Sequence, residues 1–515
     1  MISYINWLYP HRFPASLKVF LLSIALVTIS FLLQGDIGLN RSDEGFLWYG
    51  TIHSALGEVP LRDLQSYDPG RYYWGAAWFK ILGNDSIVSL RISCAMFQVL
   101  GLTFALLSLR RITKEWWLLA LEGVLLVLWL YPYYRVFELS ISMAAVFFAI
   151  RLIERPSLLR HFIVGVFIGL SACVGRNLGL YTLLSFFLLI IFIWGKLDRN
   201  AFFTRFALWA CGILVGYSPI LLMFIGVHGF FESYLGIVAF LSRIGGTNLT
   251  LPIPWPWRPQ TGVRLSERVF FLLFPLFSFT VLPYLLLLKS QSLRGKYLLI
   301  ASAFVSLTSM HYTFSRADLE HLSGGISPLL IGLMSVPSAF QFNSRKILNT
   351  CWFVGLLAAT CLSVGRENPY FLKIKAPELY VKKLIGGNLI WIDRDTAGLL
   401  GELTRINALV ANEGLLIAPH WTTFYPILER KSPLGEIYFI FPQTEQRQKE
   451  MIEELHQKKI DWVILHDNDA IDGRDDLRFR NTHPLLWHHF VDVFEVIEHK
   501  GSPYNYQLLH RKLKS

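Results

Sequence analysis

Long apolar runs recur along the first two-thirds of the chain and are separated by short polar segments. A helix needs about 20 predominantly apolar residues to cross the core of a bilayer. Eleven runs match or approach this length, although one is short enough to form a re-entrant helix. The pattern predicts a polytopic α-helical membrane protein with about 11 transmembrane helices. The runs lie near residues 17–34, 87–109, 116–131, 137–153, 162–175 (the short one), 178–194, 206–226, 269–288, 297–314, 324–341 and 347–364.

The segment between the first two runs, residues 35–86 (the first loop), is aromatic and is predicted to form structure of its own. Ser42 is the expected N-cap of a helix that ends near Leu56, and a second helix is expected over about 71–82. Both are too short and polar to span a membrane, so we expect them to lie in the interface. A second long loop, 227–268, has proline at alternate positions, which favours an extended segment that we interpret as a mobile flap.

After Gly365 the apolar runs end, and residues 366–515 have the pattern of a soluble domain. Three short buried strands, a helix and a terminal hairpin predict a small α/β domain with a mixed sheet. The acid-rich segment 467–473 departs from the spacing of a calcium-binding loop and is predicted to be a solvated turn. The expected strands are Leu389–Ile392, Gly414–Ala418 and Asp461–Leu465, the helix is Glu445–Lys459, and the hairpin strands are Val491–Glu498 and Tyr504–His510.

The composition, 53% apolar and 17% charged residues, fits a membrane protein, and the formal net charge is +11. Lys and Arg concentrate in alternate loops, such as 110–114, 151–160 and 196–205, and loops of this kind stay in the cytoplasm. The N-terminus is therefore predicted to be cytoplasmic, while the first loop and the C-terminal domain are predicted to be extracytoplasmic. The positive charge thus reflects topology, and no nucleic-acid partner is expected. All five cysteines fall within apolar runs, so neither a disulfide framework nor a metal cluster is indicated.

The acidic pair Asp43 and Glu44 follows the first apolar run closely, near the predicted membrane surface. A carboxylate held there suits a substrate whose lipid anchor keeps its reactive group at the same depth. Transfer of a sugar from a polyprenyl phosphate requires a base for the acceptor's proton and positive groups for the departing phosphate. Asp43 is the candidate base, and Glu44 would orient it or bind the acceptor. The alternative is that both acids only stabilise a helix N-terminus through its dipole.

Three motifs of the first loop resemble the first outer loop of the GT-C membrane glycosyltransferases. The similar members are the protein O-mannosyltransferase-like group and its bacterial relatives, which include the lipid A aminoarabinose transferases. The resemblance covers roughly residues 15–365 and implies a GT-C fold, a catalytic carboxylate at Asp43 and the second motif acid at Glu44. The motifs are Asp43-Glu44-Gly45-Phe46 with Tyr49-Gly50, then Gly57-Glu58-Val59-Pro60-Leu61-Arg62-Asp63, then Asp68-Pro69-Gly70-Arg71-Tyr72-Tyr73.

Further residues match the family more loosely. Arg71 stands where the aminoarabinose transferases have a phosphate-binding lysine, so the resemblance implies a phosphate contact there. It also implies that Glu138 faces the active-site cavity, with an Arg135–Glu138 pair that anchors a helix end as the alternative. Arg176 is implied as a phosphate or sugar contact, with snorkelling to the interface as the alternative.

A last match, Arg316-Ala317-Asp318-Leu319-Glu320-His321-Leu322, resembles the family's outer motif before a late span. Arg316 is implied to bind the phosphate, because a guanidinium forks onto oxyanions. Asp318 and His321 are implied substrate contacts, and His321 would support the site or contact the acceptor.

These features together predict an inverting glycosyltransferase of a bacterial inner membrane. It would move a hexosyl or pentosyl group from a polyprenyl-phosphate donor to a lipid, glycan or protein acceptor on the periplasmic side. No cofactor is expected, and a divalent metal requirement is left open. One alternative is a transporter or flippase of a lipid-linked or small solute, which would show ionisable residues deep within spans and internal repeats. The other is a non-catalytic membrane assembly protein.

Overall fold

The computed structural model describes residues 14–245, 249–258, 262–293, 295–340, 345–467, 471–501 and 503–512. The predicted cytoplasmic N-terminus before Pro14 lies outside the described residues. So do 246–248 and 259–261 of the second long loop and 468–470 of the predicted solvated turn.

Each predicted membrane run coincides with an apolar helix. Within the described residues, eight helices are long and apolar enough to cross a membrane, and three shorter apolar helices occupy the remaining runs. The chain is therefore a multi-pass membrane protein. The helices of this part are α1 (Ala15–Gln34), α2 (Asp43–Ala55), α3 (Pro69–Leu82), α4 (Ile87–Leu109), α5 (Trp116–Leu128), α6 (Val136–Glu154), α7 (Leu158–Val174), α8 (Arg176–Lys196), α9 (Phe202–Gly226), α10 (Phe230–Ile244), α11 (Leu265–Leu287), α12 (Tyr297–Ser315), α13 (Leu319–Ala339) and α14 (Arg345–Val364).

Glycines allow α7 and α9 to approach each other closely. Gly165 and Gly169 of α7 lie against α9, and Gly212 and Gly216 of α9 lie against α7, so that a Cβ at any of the four would collide with backbone of the other helix. Residues four apart share one face of a helix, so each helix presents a small-residue stripe to its partner. The short run predicted at 162–175 is thus part of a helix packed tightly in the bundle.

The first loop contains both predicted helices, α2 and α3, but α2 is capped differently from the prediction. The Ser42 side chain makes no capping hydrogen bond, and Asn40 Oδ1 instead accepts from the backbone N–H groups of Ser42 (2.9 Å) and Asp43 (2.7 Å). Ten of the 13 residues of α2 are buried, and the expected position of this helix in the membrane interface stays a prediction.

The first half of the second long loop, before its prolines, forms the helix α10. Its prolines begin only at Pro252, so nothing in the sequence prevents α10 from forming before them. Residues 252–258 form no helix, as predicted, and the rings of Trp255 and Trp257 stack at 5.5 Å. Trp255 also contacts Phe314 of α12. The interpretation of this segment as a mobile flap stays a prediction.

The C-terminal domain combines a hairpin with a four-stranded mixed sheet of order β3-β4-β6-β5. β3 and β4 are parallel, whereas β6 pairs antiparallel with β4 and β5. The predicted strands and helix are confirmed, but β1 was not predicted, and it draws β2 into a separate hairpin. The elements are α15 (Pro369–Lys375), β1 (Tyr380–Ile385), β2 (Asn388–Asp393), α16 (Arg394–Val410), β3 (Gly414–Ala418), α17 (Phe424–Ile427), α18 (Glu445–Gln457), β4 (Ile460–Leu465), α19 (Phe479–Thr482), α20 (Pro484–Val493), β5 (Phe494–Lys500) and β6 (Tyr506–Arg511).

The first loop and the C-terminal domain share one apolar core, to which Phe46 and Tyr425 both belong. Thr423 Oγ1 donates to the carbonyl of Asn40 at 2.6 Å, and Gly45 lies so close to Thr423 that a Cβ would not fit. The prediction that the loop and the tail lie on the same side of the bundle is therefore confirmed; we call this the Asp43 side. The predicted domain boundary at residue 365 stays a prediction.

Candidate active site

Asp43 is the first residue of α2 and lies where the first loop, the bundle and the C-terminal domain meet. Its side chain is 24% exposed, and its Oδ2 lies 3.8 Å from Nη2 of Arg135. Its Oδ1 accepts a hydrogen bond from the hydroxyl of Tyr438, in the C-terminal domain, at 3.0 Å. The helix dipole favours a negative charge at this position. The carboxylate is thus held in place while remaining accessible to a substrate.

Arg135, immediately before α6, is the central cation of the site. Its Nη1 donates to the Tyr312 hydroxyl at 3.0 Å and to Nε2 of His321 at 3.2 Å, and its Nε lies 3.2 Å from Glu320 Oε2. Nη2 lies 3.8 Å from Asp43 Oδ2, too far for a hydrogen bond, and no hydrogen bond joins it to any other described residue. One edge of the guanidinium therefore faces Asp43 with donors left for an anion.

Asp318 and His321 support Arg135 from behind. Because a guanidinium only donates, Nε2 of His321 must accept from it, and Nδ1 then carries the proton and donates to Asp318 Oδ1 at 2.8 Å. The same oxygen caps α13 by accepting from the His321 backbone N–H at 2.8 Å. Burial raises the pKa of Asp318, but the His321 hydrogen bonds and the charge of Arg135 outweigh it and lower the pKa to about 2. The two residues thus fix a cation that faces Asp43.

Glu44 is the neighbour of Asp43 in sequence and lies in different surroundings. It is 4% exposed, and its two oxygens accept from Nε and Nη2 of Arg91 at 2.7 and 2.9 Å. Arg91 also donates to the carbonyls of Gly35 and Gly38, at 2.9 and 2.7 Å. This bidentate pair ties the first loop to α4 and leaves Glu44 no open side for an acceptor.

Arg71 and Glu138 form a second buried pair, with Nη2 and Oε1 3.2 Å apart. Arg71 also donates to the carbonyl of Val174 and lies over the ring of Tyr67, 4.6 Å from its centroid. Glu138 Oε2 is buried and has no hydrogen-bond partner among the described residues. The alternative of an Arg135–Glu138 pair is therefore wrong, since each residue has a different partner.

A pocket opens between α6, α8, α12 and α13, beside these ion pairs. It lies at the Asp43 side of the bundle, because its lining comes from the first turns of α6, α8 and α13 and the last turns of α12. The accessible surface of the pocket is mostly apolar, although eight of its 14 lining residues have polar side chains. Those that bear on the site are Glu138, Tyr181, Ser185, Thr308 and Tyr312. Tyr312 links the pocket to Arg135 and so to Asp43.

Arg176, the first residue of α8, is paired with Asp68. Its Nε lies 2.9 Å from Asp68 Oδ1, its backbone N–H donates to Oδ2 at 2.8 Å, and its guanidinium lies over the ring of Tyr234. Burial raises the pKa of Asp68, and the charges of Arg176 and Arg71 only partly offset this. Arg176 is thus held by the protein instead of reaching for the interface, and its phosphate contact stays a prediction.

Arg316 connects the bundle to the C-terminal domain. Its Nη1 and Nη2 donate to the two oxygens of Asp472 at 2.6 and 2.8 Å, and its Nε donates to Asp318 at 2.6 Å. Asp472 belongs to the turn predicted to be solvated, and Asp472 and Gly473 are exposed, as predicted. The bidentate ion pair of Asp472 with Arg316 was not predicted. The predicted phosphate contact of Arg316 stays a prediction, with its guanidinium occupied by two acids.

Three residues of the site were not singled out from the sequence: Arg135, Glu320 and Tyr438. Glu320 belongs to the motif Arg316–Leu322, and Arg135 was considered only as a possible partner of Glu138. The excess of charge at these span ends was the available signal. Tyr438 carries no such signal, because it lies 395 residues from Asp43 in the chain. Among the described residues, no group of three or more His, Cys, Asp or Glu side chains is arranged to hold a metal ion.

Comparison with protein-family models finds no match, and comparison with curated proteins finds none. Solved structures, in contrast, match along nearly the whole chain. ArnT from Cupriavidus metallidurans bound to undecaprenyl phosphate matches with a TM-score of 0.50 and 13% identity, over 96% of this chain and 98% of that chain. The apo state of the same enzyme matches with a TM-score of 0.51 and 11% identity, over 96% and 97%.

The chain has the GT-C fold. The fold implied by the motifs of the first loop is thereby confirmed, and at these identities the likeness concerns the fold alone. The apo oligosaccharyltransferase of Archaeoglobus fulgidus also matches, with a TM-score of 0.43 and 12% identity, over 88% of this chain and 69% of that chain.

Proposed function

We propose that this protein is an inverting glycosyltransferase that moves a sugar from a polyprenyl-phosphate donor to an acceptor on the Asp43 side of the membrane. The observation that carries the proposal is Asp43 itself, an accessible carboxylate that faces Arg135 next to the pocket. A base and a cation that are linked to a pocket through Tyr312 suit a donor with a charged head and a lipid tail. The GT-C fold supports this assignment.

In the proposed reaction, Asp43 accepts the proton of an acceptor hydroxyl or amine. The acceptor atom then forms a bond to the anomeric carbon from the face opposite the phosphate. The bond from the anomeric carbon to the phosphate oxygen breaks, and its electron pair leaves with the polyprenyl phosphate. A single displacement of this kind inverts the anomeric centre and needs no covalent intermediate.

Arg135 is the proposed ligand of the departing phosphate, because its Nη2 faces Asp43 with donors to spare. Glu138, with Arg71 behind it, is proposed to contact the sugar, since its Oε2 is buried at the pocket without a partner. Glu44, Asp318 and His321 are proposed to position Asp43 and Arg135. Of the other predicted phosphate contacts, Arg316 requires release from Asp318 and Asp472 before it binds a phosphate. Arg176 keeps a buried Nη1 that has no hydrogen-bond partner among the described residues.

The donor, the acceptor and the membrane belong to the same proposal. ArnT was solved bound to undecaprenyl phosphate, which makes a polyprenyl phosphate the natural donor lipid to test here. We propose a bacterial inner membrane with the Asp43 side facing the periplasm, and a lipid, glycan or protein as acceptor.

The test uses the purified full chain in liposomes that contain undecaprenyl phosphate carrying mannose, glucose or aminoarabinose, with periplasmic extract as the source of acceptor. We expect release of free undecaprenyl phosphate with one donor, and a loss of about 10²–10⁴-fold in the Asp43→Asn variant. Asp85→Asn is the matched control, an exposed acid at the end of the same loop. Normal turnover by Asp43→Asn would contradict the proposal. Donor that crosses the bilayer intact would identify a flippase, and donor left unchanged and in place would identify an assembly protein.

A further inference from the structure

One hydroxyl from the C-terminal domain reaches the proposed base. The Tyr438 hydroxyl donates to Asp43 Oδ1 at 3.0 Å across 395 residues of sequence. The ring of Tyr438 also packs on Phe46, one turn further along α2, with 5.8 Å between ring centroids.

Gln65 of the first loop fixes the backbone that carries Tyr438. Its Oε1 accepts from the backbone N–H groups of Ile437 (3.1 Å) and Tyr438 (3.0 Å), and its Nε2 donates to the Tyr438 carbonyl at 3.3 Å. The backbone N–H of Gln65 donates to the carbonyl of Gly435 at 2.8 Å. Tyr438 is therefore attached to the same loop that carries Asp43.

The two oxygens of Asp43 consequently differ. Burial and the negative charge of Asp43 raise the pKa of Tyr438 well above its usual value, so Tyr438 keeps its proton and donates. Oδ1 is engaged by this hydroxyl, whereas Oδ2 faces Arg135 at 3.8 Å without a hydrogen bond. The other ionisable groups that act on the carboxylate are Tyr67, Tyr134 and Glu320.

We propose that Tyr438 is a positioning residue of the active site, which holds Asp43 through Oδ1 and so leaves Oδ2 as the atom that takes the acceptor's proton. This inference rests on the proposed function. The C-terminal domain therefore contributes a side chain to the active site.

The experiment compares Tyr438→Phe with Tyr49→Phe in the liposome assay over a range of pH. The Tyr49 hydroxyl lies at the same domain interface, where it accepts from the Ser432 backbone N–H at 3.1 Å, but it does not contact Asp43. For Tyr438→Phe we expect kcat to fall about tenfold with the donor KM unchanged, since a hydrogen bond to a charged group is lost. We also expect the acid side of the pH–rate profile to move up by about one pH unit. Tyr49→Phe is expected to change neither kcat nor the pH–rate profile.

A second replacement keeps the packing and the hydroxyl. Site-specific difluorotyrosine at position 438 makes the hydroxyl a stronger donor, so the acid side of the profile should move toward lower pH, opposite to the Phe variant. A merely structural role predicts no shift in either direction. If both replacements leave kcat and the profile as in the wild type while Asp43→Asn is inactive, the inference is wrong and the proposed function stands. If Asp43→Asn remains active, the proposed function fails first.

Discussion

The two sides of the first turn of α2 contain the same chemical group in opposite circumstances. On one side, Glu44 is buried against Arg91, and both carboxylate oxygens accept close hydrogen bonds. On the other side, Asp43 is partly exposed, and its arginine stands 3.8 Å away. Consecutive residues of a helix point about 100° apart, so one turn presents two acids to two environments. A closed pair of this kind anchors structure, whereas an open pair leaves room for a substrate.

Glu44→Gln tests the buried Glu44–Arg91 pair and is expected to have the largest effect. It leaves the buried Arg91 charge without an anion, which costs about 3–5 kcal/mol of stability. Thermal unfolding of the purified protein in detergent measures the loss. Asp63→Asn is the control, because Asp63 belongs to the same loop but pairs with Arg62 at the surface, where the side chains are 30% and 31% exposed, and such pairs contribute about 1 kcal/mol or less. Unchanged stability with activity lost would instead make Glu44 a contact of the acceptor.

Arg135→Lys tests the partly exposed pair of Asp43 and Arg135. Lysine keeps the charge but loses the fork that reaches Tyr312, His321 and the space before Asp43, so we expect kcat to fall about a hundredfold. Initial rates with saturating donor provide the measurement. Arg62→Lys, at an exposed pair with Asp63 in the first loop, is the control that should stay near the wild type. Wild-type kcat in Arg135→Lys would exclude this arginine as the phosphate ligand.

The third test measures how the stability that Asp318 contributes depends on pH. Its pKa is lowered from 3.8 to about 2 in the folded protein. The ionised carboxylate therefore stabilises the fold above about pH 4, and this contribution is lost as the pH falls through the folded-state value. We expect the stability difference between the wild type and Asp318→Asn to be about 2 kcal/mol at pH 6 and to vanish near pH 2. A difference that does not change with pH would contradict this account.

Asp472→Asn is expected to have the smallest effect. The Arg316–Asp472 pair is partly exposed, and such pairs contribute about 1 kcal/mol or less. If Arg316 only joins the domains, the donor KM should stay unchanged, as in the control Asp476→Asn at a more exposed acid nearby. A lower donor KM in Asp472→Asn would show that Asp472 competes with the phosphate for Arg316, as the sequence motif implies.

The elements of the fold were largely predictable, because their signals are local. All the apolar runs became helices, and Gly414–Ala418 is a strand with the predicted bounds. The errors occurred where a contact distant in sequence overrides a local pattern. Asn40 caps α2 in place of Ser42, and β1 draws β2 away from the main sheet.

The partners of the site were less predictable. The sequence indicated Asp43 correctly as an acid at the start of a helix on the side shared with the C-terminal domain. It also suggested a pairing of Arg135 with Glu138 that the structure replaces by Arg135 with Glu320 and Arg71 with Glu138. Several arginines and acids gather at the same helix ends, and their spacing along the chain does not distinguish one pairing from another.

The sequence by itself determined the membrane spans, the positions of the short helices in the first loop and the candidate base, since periodicity and chemical type are properties of neighbouring residues. Only the tertiary structure decided that Glu44 is buried in an ion pair while Asp43 stays partly exposed, and which hydroxyl reaches Asp43. The physical reason is that burial and ion pairing depend on the surfaces brought against α2, and those surfaces come from α4, α6 and a domain nearly 400 residues further along the chain.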